Sequence, residues 1–256
     1  MERSVDMKAL ITGASSGIGR DMARVLAAKG WDLFLAARRV DRLVELKNEL
    51  PDANIVCIEA DVSTKEGCLA LYEKVRPENI DMLVNNAGFG VCGTFLKNDL
   101  DEELQMIHTN IDAVHILMKL FLRDFARRGN GYILNTASSA GFMAGPMLGS
   151  YYATKNYIVR LTQAVYEELR RSHINVQVSA LCPGPADTEF NRVAHVRFSL
   201  KGMKSYDVAQ YGIEKALKGK LIIIPGVQMK LAKFFNRFAS DKLMLKISYH
   251  IQKRKL

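Results

Sequence analysis

The chain has 256 residues, of which 48% are hydrophobic and 25% are charged. This length and composition are typical of one globular domain that can bury a substantial core. No stretch approaches the roughly 18 consecutive apolar residues of a membrane-spanning helix, and no apolar signal segment precedes the first predicted strand. The simplest expectation is therefore a cytoplasmic protein.

The formal net charge of +9 is concentrated at the C-terminal end. Residues 226–256 contain eight Lys or Arg and a single acidic residue, Asp241, whereas the rest of the chain has 28 basic and 26 acidic residues. This basic segment lacks a recognised nucleic-acid-binding module, so we expect no nucleic-acid partner. The body of the protein is nearly neutral, and the tail is its basic element.

The four cysteines are scattered, with no C-x-x-C pair and no nearby histidine cluster; they are Cys57, Cys68, Cys92 and Cys182. This spacing indicates neither a zinc site nor a disulfide framework. We expect free thiols that are buried or partly buried, and no metal.

Short apolar runs alternate with amphipathic stretches of helix length along the chain. The predicted strands span residues 8–12, 31–36, 54–59, 82–85, 132–135, 176–181 and 221–224, and the predicted helices include 18–29, 40–50, 65–75, 101–127 and 151–171. This alternation predicts an α/β fold with a Rossmann-like, doubly wound, seven-stranded parallel sheet and helices on both faces. Without repeats or a linker, residues 1–256 predict a single domain, with a core at 7–225 and a basic helical extension at 226–256.

A glycine-rich turn follows the first predicted strand directly and precedes a helix. Its glycines let the chain turn tightly and bring backbone N–H groups and the helix N-terminus close to a pyrophosphate. The spacing is G-x-x-x-G-x-G rather than G-x-G-x-x-G, and such a turn can also serve packing alone. The strand-turn-helix context favours a dinucleotide site formed by Gly13, Ser15, Ser16, Gly17, Ile18 and Gly19.

The second predicted strand is followed by Ala37, Arg38 and Arg39. An acidic side chain at this point would hold the adenosine ribose hydroxyls, whereas a guanidinium pairs with a phosphate. The sequence therefore favours NADP(H) over NAD(H), with Arg38 near the 2′-phosphate. The alternative is a solvated surface pair, and Arg39 is the one of the two that we expect to be solvated.

Tyr151 precedes Lys155 by four residues in a predicted helix, so the phenol and the ammonium share one face. A neighbouring cation favours the phenolate, which predicts a lowered pKa for Tyr151. The adjacent Tyr152 lacks this spacing. The pattern occurs by chance in many helices, but together with the glycine turn it indicates a nicotinamide-dependent oxidoreductase.

Seven motifs in chain order resemble those of the classical short-chain dehydrogenase/reductase family, across about residues 7–225. They are the glycine turn, Asp61-Val62, Asn85-Asn86-Ala87-Gly88, Asn110, Ser138, Tyr151 with Lys155, and Pro183-Gly184 with Thr188. The tail after Gly226 is more similar to a divergent branch of hydroxysteroid dehydrogenase-like proteins and bacterial oxidoreductases of unassigned substrate.

The resemblance implies hydride transfer between a nicotinamide and the carbon of a small-molecule carbonyl or secondary alcohol. It places Asp61 and Val62 at the adenine, and Asn85 between the central strands. The adenosine ribose would lie along Asn86, Ala87 and Gly88. The nicotinamide end would contact Pro183, Gly184 and Thr188.

The resemblance also implies the catalytic roles. Tyr151 would be the general acid in reduction and the general base in oxidation, and Lys155 would lower its pKa and hold the nicotinamide ribose. Ser138, which stands 13 residues before Tyr151 as in the family, would hydrogen-bond the substrate oxygen. Asn110 would help to hold a water for proton relay, or it is a buried amide bonded to backbone.

The segment 189–205 is predicted to form part of a lid. Its apolar residues either line a pocket for a lipophilic carbonyl substrate or pack the lid against the body; they are Phe190, Val193, Val196, Phe198 and Leu200. Met143, Met147 and Leu148 are further candidates for the substrate side, by position alone.

In the tail, apolar residues recur at helical spacing between basic ones; the apolar set is Met229, Leu231, Phe234, Phe235 and Phe238. Such a helix contacts an anionic membrane surface, packs on the body, or packs on a second subunit. We expect a homo-oligomer, dimer or tetramer. Two alternatives to an enzyme are a nucleotide-binding regulatory protein of the same fold and a peripheral membrane protein that acts through this tail.

Overall fold

The strands of the main sheet are short runs rich in Leu, Ile, Val and Ala, and most of their side chains are buried. The computed structural model describes residues 7–190, 202–236 and 238–253. The strands are β1 (Lys8–Thr12), β2 (Asp32–Ala37), β3 (Ile55–Glu59), β4 (Met82–Asn85), β5 (Tyr132–Thr136), β6 (Gln177–Leu181), β7 (Ala186–Asp187), β8 (Met203–Lys204) and β9 (Ile222–Ile223).

Seven strands form one parallel sheet in the order β3-β2-β1-β4-β5-β6-β9. The chain runs outward from β1 through β2 to β3 and then returns to β4 on the other side of β1. Ligands of doubly wound sheets bind at the strand ends beside such a reversal. The predicted fold is confirmed, and β7 and β8 add a small parallel pair that the sequence did not predict.

Helices cover both faces of the sheet. They are α1 (Gly17–Ala27), α2 (Val40–Glu49), α3 (Lys65–Val75), α4 (Leu100–Ile107), α5 (Ala113–Arg128), α6 (Gly149–Arg171), α7 (Ser205–Ala216), α8 (Val227–Phe235) and α9 (Asp241–Lys253). Residues of α1, α2 and α7 pack with Ile11 and Leu33 on one face, and those of α3, α5 and α6 pack with Leu10 and Phe34 on the other. Alternate side chains of each strand therefore enter two separate cores, as the period of a strand requires.

The continuous helix predicted over residues 101–127 is wrong in its middle. A π-helical turn, His108–Asp112, separates α4 from α5. Within it the Thr109 hydroxyl donates to the Gln105 carbonyl at 2.9 Å, and such a bond competes with the regular helical ladder. The wider turn leaves Asn110 fully buried, in a position that a regular helical pattern does not reveal.

Within the described residues the basic tail has two helices, α8 and α9, and both contact the body. Helix α8 covers most of the segment in which the sequence predicts helical spacing. Asn236 donates to the Phe142 carbonyl at 2.9 Å, and Gln252 donates to the Tyr152 hydroxyl. The predicted lid residues 193, 196, 198 and 200, and residue 237 of the tail, lie outside the described residues. The homo-oligomer stays a prediction.

Across the described helices, none combines the length and the apolar character that crossing a bilayer requires.

Candidate active site

One continuous cavity of about 690 Å³ runs along the carboxyl ends of the sheet strands. Every predicted site residue lines it except Gly19 and Asn110. The lining therefore includes Gly13, Ser15, Ser16, Gly17, Ile18, Arg38, Arg39, Asp61, Val62, Asn86, Ala87, Gly88, Ser138, Tyr151, Lys155, Pro183, Gly184 and Thr188. The fold thus brings together residues that lie up to 175 positions apart in the sequence.

The glycine turn lies at one end of this cavity, which we call the glycine end. Gly13 and Gly17 have φ of +66° and +54°, and a Cβ at Gly13 would lie 2.7 Å from the Ala87 Cα. The helix that follows has no acidic residue in its first turn, and the side chain of its N-cap residue, Ser16, makes no capping bond. Its backbone N–H groups can therefore bind an anion, and a pyrophosphate fits this turn.

Asn86 fixes the conformation of the glycine turn by hydrogen bonds to Thr12 and Gly13. Its amide nitrogen donates to the carbonyls of Thr12 and Gly13, each at 3.2 Å, and its backbone N–H donates to the Thr12 hydroxyl at 3.0 Å. A Cβ at Gly19 would lie 2.3 Å from the same amide nitrogen. Gly19 is thus required for packing beneath the turn, whereas we expected it at the cofactor.

Both arginines after β2 are exposed, as a solvated pair would be, but Arg39 also makes side-chain hydrogen bonds. Arg39, expected to be solvated, donates to the hydroxyls of Ser15 and Ser16 at 3.2 and 3.1 Å and to the carboxylate of Glu189 at 3.0 Å. Arg42 binds the other oxygen of Glu189 at 2.8 Å. These two hydrogen bonds lower the pKa of Glu189 to about 2.

Arg38 lines the cavity beside this cluster and remains exposed. The sequence could not show which arginine is held beside the glycine turn, because the carboxylate partner of Arg39 comes from a loop 150 residues away. Both side chains, together with Arg42, make this end of the cavity positive.

Asp61 and Asn85, which the resemblance also singled out, make hydrogen bonds within the protein. The Asp61 carboxylate accepts the N–H of Ser63 at 2.9 Å and so forms a turn as well as lining the cavity. Asn85 donates to the side chain of Asn135 at 2.9 Å and ties β4 to β5, as the resemblance implied.

Lys155 lies on α6 and points into the cavity with only 5% of its surface exposed. Its ammonium donates to the Thr136 carbonyl at 2.9 Å and lies 5.8 Å from the centre of the Tyr151 ring. Burial lowers the pKa of Lys155 to about 8. The ammonium is thus close to the phenol while bonded to the end of β5.

The pKa of Tyr151 does not fall as expected. Burial raises it above its usual value, and a hydrogen bond with Ser138 opposes this in part. The lysine charge does not offset the desolvation, because its nearest hydrogen-bond acceptor is the Thr136 carbonyl rather than the phenol. Tyr151 is therefore held as a neutral phenol at neutral pH.

Ser138 joins Tyr151 to the loop after β6. It caps a short 3-10 turn, Ser139–Phe142, by accepting the N–H of Ala140 at 3.1 Å. The backbone N–H of Ser139 donates to the Pro183 carbonyl at 2.8 Å. Ser138 hydrogen-bonds to Tyr151, while the neighbouring Ser139 binds the loop after β6.

Asn110 lies behind the cavity wall. Its amide exchanges two hydrogen bonds with the backbone of Phe89, at 2.9 and 3.1 Å, and donates a third to the hydroxyl of Thr154 at 3.1 Å. Both N–H bonds of the amide are in use, which favours the second interpretation, a buried amide bonded to backbone. By tying this strand end to α6, Asn110 positions the helix that carries Tyr151 and Lys155.

The other end of the cavity, which we call the tail end, is apolar and closed by side chains from distant segments. The Phe190 ring lies 5.3 Å from that of Tyr151, and Leu148, Cys92 and Tyr152 pack around them. Of the three residues proposed by position, only Leu148 lines the cavity; Met143 and Met147 do not.

Sequence reasoning missed Tyr152 and Gln252 at the tail end. Gln252 is 1% exposed and reaches Tyr152 from α9. The one available signal was a glutamine on the apolar side of a tail helix, which is too common to single out.

The cysteines are free thiols, two buried and two partly buried, as predicted. Among the described residues, no three His, Cys, Asp or Glu side chains are grouped as a metal site would require.

Comparison with known proteins agrees with this geometry. Residues 7–196 match the family described as short chain dehydrogenase. A short-chain dehydrogenase from Sphingobium yanoikuyae in complex with NADPH superimposes with a TM-score of 0.81 at 28% identity, covering 93% of this chain and 95% of the other. A short-chain dehydrogenase/reductase from Burkholderia phymatum in complex with NAD superimposes with a TM-score of 0.82 at 25% identity. This alignment covers 91% of this chain and 93% of the other.

A third structure, the bulky-bulky ketone specific alcohol dehydrogenase from Comamonas testosteroni, gives a TM-score of 0.78 at 27% identity, with 91% of this chain and 90% of the other covered. The family match spans most of the chain, and the alignments with these three structures cover 91–93% of it. The chain therefore belongs to the short-chain dehydrogenase family and is an oxidoreductase that depends on a nicotinamide dinucleotide.

Proposed function

We propose that the protein transfers hydride between NADP(H) and a lipophilic ketone or secondary alcohol, with Tyr151 as the general acid and base. The observation that carries this proposal is the arrangement of Tyr151, Ser138 and Lys155 in one cavity whose opposite end is a glycine turn flanked by arginines. The neutral phenol, the hydroxyl and the ammonium are the groups that a carbonyl oxygen needs when it takes up charge and a proton.

The preference for NADP(H) rests on the charges at the glycine end. Arg38, Arg39 and Arg42 lie together there, and the position that would repel a 2′-phosphate is the small Ala37. The Glu189 carboxylate already occupies two of these guanidiniums, which supports an anion site. A 2′-phosphate would use the same donors, with the Ser15 and Ser16 hydroxyls beside them.

The cavity also fits the rest of the dinucleotide. The pyrophosphate would lie on the N–H groups between Gly13 and Ile18, with the adenosine along Asp61 and Val62. The nicotinamide end would meet Lys155 and the loop of Pro183, Gly184 and Thr188. When bound, the nicotinamide supplies or accepts the hydride.

The remaining chemistry belongs to the side chains. In reduction Tyr151 gives its proton to the substrate oxygen, and the Ser138 hydroxyl holds that oxygen by a hydrogen bond. Lys155, whose pKa is about 8, is charged at neutral pH and stabilises the phenolate that forms when Tyr151 gives up its proton. Because burial raises the pKa of Tyr151, the free enzyme holds the acid form, which suits carbonyl reduction at neutral pH.

The lipophilic substrate is inferred from the tail end of the cavity. Phe190, Leu148 and Cys92 surround the tyrosine pair there, so an apolar substituent of a ketone would be desolvated beside Tyr151. The specificity for bulky ketones of the Comamonas testosteroni relative is consistent with such a pocket.

The test compares Tyr151→Phe with its neighbour Tyr152→Phe as a matched control. NADPH and NADH are titrated by fluorescence, and a panel of aryl and alkyl ketones is followed at the nicotinamide absorbance. We expect Tyr151→Phe to lower kcat/KM by about 10³-fold with NADPH affinity within about 3-fold of wild type. Tyr152→Phe should keep turnover within about 10-fold. Wild-type activity in Tyr151→Phe would refute the catalytic assignment, and a wild-type protein that binds neither nucleotide would refute the whole proposal.

A further inference from the structure

Helix α8 and the residue after it contact the body through one apolar and two polar side chains. Met229 packs on Gly184, where an added Cβ would lie 2.9 Å from its sulfur. The Lys233 ammonium lies 4.6 Å from the centre of the Phe142 ring, and Asn236, just after the helix, donates to the Phe142 carbonyl. One lysine and one asparagine thus occupy the side of a surface helix that is normally apolar.

The apolar residues of the same segment point outward. The tail cluster, as we name it, has exposed fractions of 69% for Val227, 51% for Leu231, 53% for Phe234, 62% for Phe235 and 74% for Phe238. The Phe234 ring contacts the rings of both Phe235 and Phe238, with centroids 5.5 and 5.4 Å apart. Contiguous exposed aromatic side chains of this kind mark an interaction surface.

The charge around the tail cluster distinguishes between the possible occupants. The segment 226–256 carries eight basic residues against one acidic residue, and Lys242 and Lys246 on α9 are exposed. A second copy of the chain would bring two such basic segments together, and like charges repel. An anionic lipid surface attracts them, while its acyl boundary accepts phenylalanine side chains.

We propose that the tail cluster is a membrane-docking surface, which lies in the headgroup region of an anionic bilayer while the basic side chains of the tail bind lipid phosphates. The surface uses no residue of the cavity, and the proposal therefore stands whatever the substrate is. Docking leaves the fold and the cofactor site unchanged, because α8 keeps its contacts with Gly184 and Phe142.

The experiment uses the full-length protein with vesicles of phosphatidylcholine alone or mixed with phosphatidylglycerol, and measures co-sedimentation. We expect binding to the anionic vesicles, little binding to the neutral ones, and a decrease with added salt. Phe234→Ser/Phe235→Ser/Phe238→Ser should bind at least about 10-fold more weakly, because each ring loses its burial in the acyl boundary. Lys242→Gln/Lys246→Gln should also bind about 10-fold more weakly.

The matched control removes exposed apolar side chains at the opposite edge of the sheet. Val44 on α2 and Leu69 on α3 are 44% and 37% exposed, and Val44→Ser/Leu69→Ser should bind vesicles like wild type. NADPH affinity, unchanged in all variants, shows that each one is folded.

Three results would overturn the proposal. One is a wild-type protein that stays in solution with anionic vesicles. The second is a triple phenylalanine variant that binds as wild type does, or a control that loses binding equally. The third is a wild-type dimer that ignores vesicles and becomes a monomer when the three phenylalanines are replaced, since the cluster would then be an interface between copies.

Discussion

The two ends of the cavity are built from different kinds of contact. At the glycine end the turn, the helix N-terminus and the arginines all lie within residues 12–42. At the tail end, Gln252 reaches Tyr152, which lines the cavity, across 100 residues. The framework of the glycine end is therefore local, although Asn86 and Glu189 bind it from distant segments, whereas the tail end depends on where the end of the chain folds back.

The ends also differ in polarity. The glycine end offers backbone N–H groups and guanidiniums to an anion, and its charges are partly exposed. The tail end is lined by apolar side chains such as Phe190 and Leu148, and the Lys155 ammonium between the two ends is 5% exposed. Desolvation therefore lowers the pKa of Lys155 and raises that of Tyr151.

In the comparison of the two ends, the largest expected effect is on NADPH binding at the glycine end, when Arg39 is replaced. Arg39→Ala should weaken NADPH binding by about 10- to 100-fold, because a charge-assisted hydrogen bond to a phosphate contributes about 1.5–3 kcal/mol. NADH, which lacks the 2′-phosphate, should lose less than about 3-fold. The measurement is a fluorescence titration with both nucleotides.

Two companion variants sharpen this prediction. Arg38→Ala should also weaken NADPH binding but by a smaller factor, because among the described residues its guanidinium donates no hydrogen bond to the glycine turn that would position it. Glu189→Gln should tighten NADPH, because it removes the carboxylate that competes for Arg39 and Arg42. Equal losses of NADPH and NADH in Arg39→Ala would remove the case for 2′-phosphate recognition.

The next effect is on the pH dependence of ketone reduction. The pKa of Lys155 is lowered to about 8 from its usual 10.5, so the side chain loses its charge as the pH rises through 8. We expect kcat/KM with saturating NADPH to be level at lower pH and to fall by about tenfold per unit above 8. A profile that stays level to pH 10 would contradict the role of the ammonium.

The free energy of unfolding should rise with pH over the same range in which ketone reduction becomes slower. Below pH 8 the ammonium is charged in both the folded and the unfolded chain, and the folded chain bears the cost of its burial. Between pH 8 and 10.5 only the unfolded chain remains protonated at Lys155, so the contribution of this group to the free energy of unfolding rises with pH. Lys155→Met should accordingly be more stable than wild type at pH 7 by about 1–3 kcal/mol, as measured by urea unfolding.

The sequence was sufficient for everything that local patterns determine. The parallel strands and the glycine turn follow from apolar runs and from turn chemistry, and the structure has both. The choice of Ser138 over Ser139, made from motif spacing, stays a prediction. The π-helical turn at Asn110 was not predictable, because the helices on both sides of it follow it without a break in the chain and no residue within it marks a helix end.

Other features depend on contacts that no spacing rule contains. Arg39 and Arg38 are chemically identical neighbours, and only the distant Glu189 distinguishes them. The raised pKa of Tyr151 follows from burial by Phe190 and the surrounding apolar side chains rather than from its spacing to Lys155.

The smallest effect tests whether α9 belongs to the substrate pocket. Gln252 and Ser248 lie one turn apart on the inner side of α9, with exposed fractions of 1% and 4%. Gln252 donates to the hydroxyl of Tyr152, which lines the cavity, so Gln252→Ala frees the Tyr152 ring to move. We expect KM for a bulky ketone to rise by about 3- to 10-fold, in line with the loss of roughly one buried hydrogen bond, with kcat and NADPH affinity unchanged.

Ser248→Ala is the matched control for this prediction, because it truncates a neighbouring buried side chain that has no hydrogen-bond partner among the described residues. It should leave KM unchanged. An altered KM in Gln252→Ala alone would make the end of the chain a part of substrate recognition and would explain why the tail end resists prediction from local motifs. Equal KM values in both variants and in wild type would limit α9 to packing, and the substrate pocket would then be formed by the same part of the chain as the rest of the family motif.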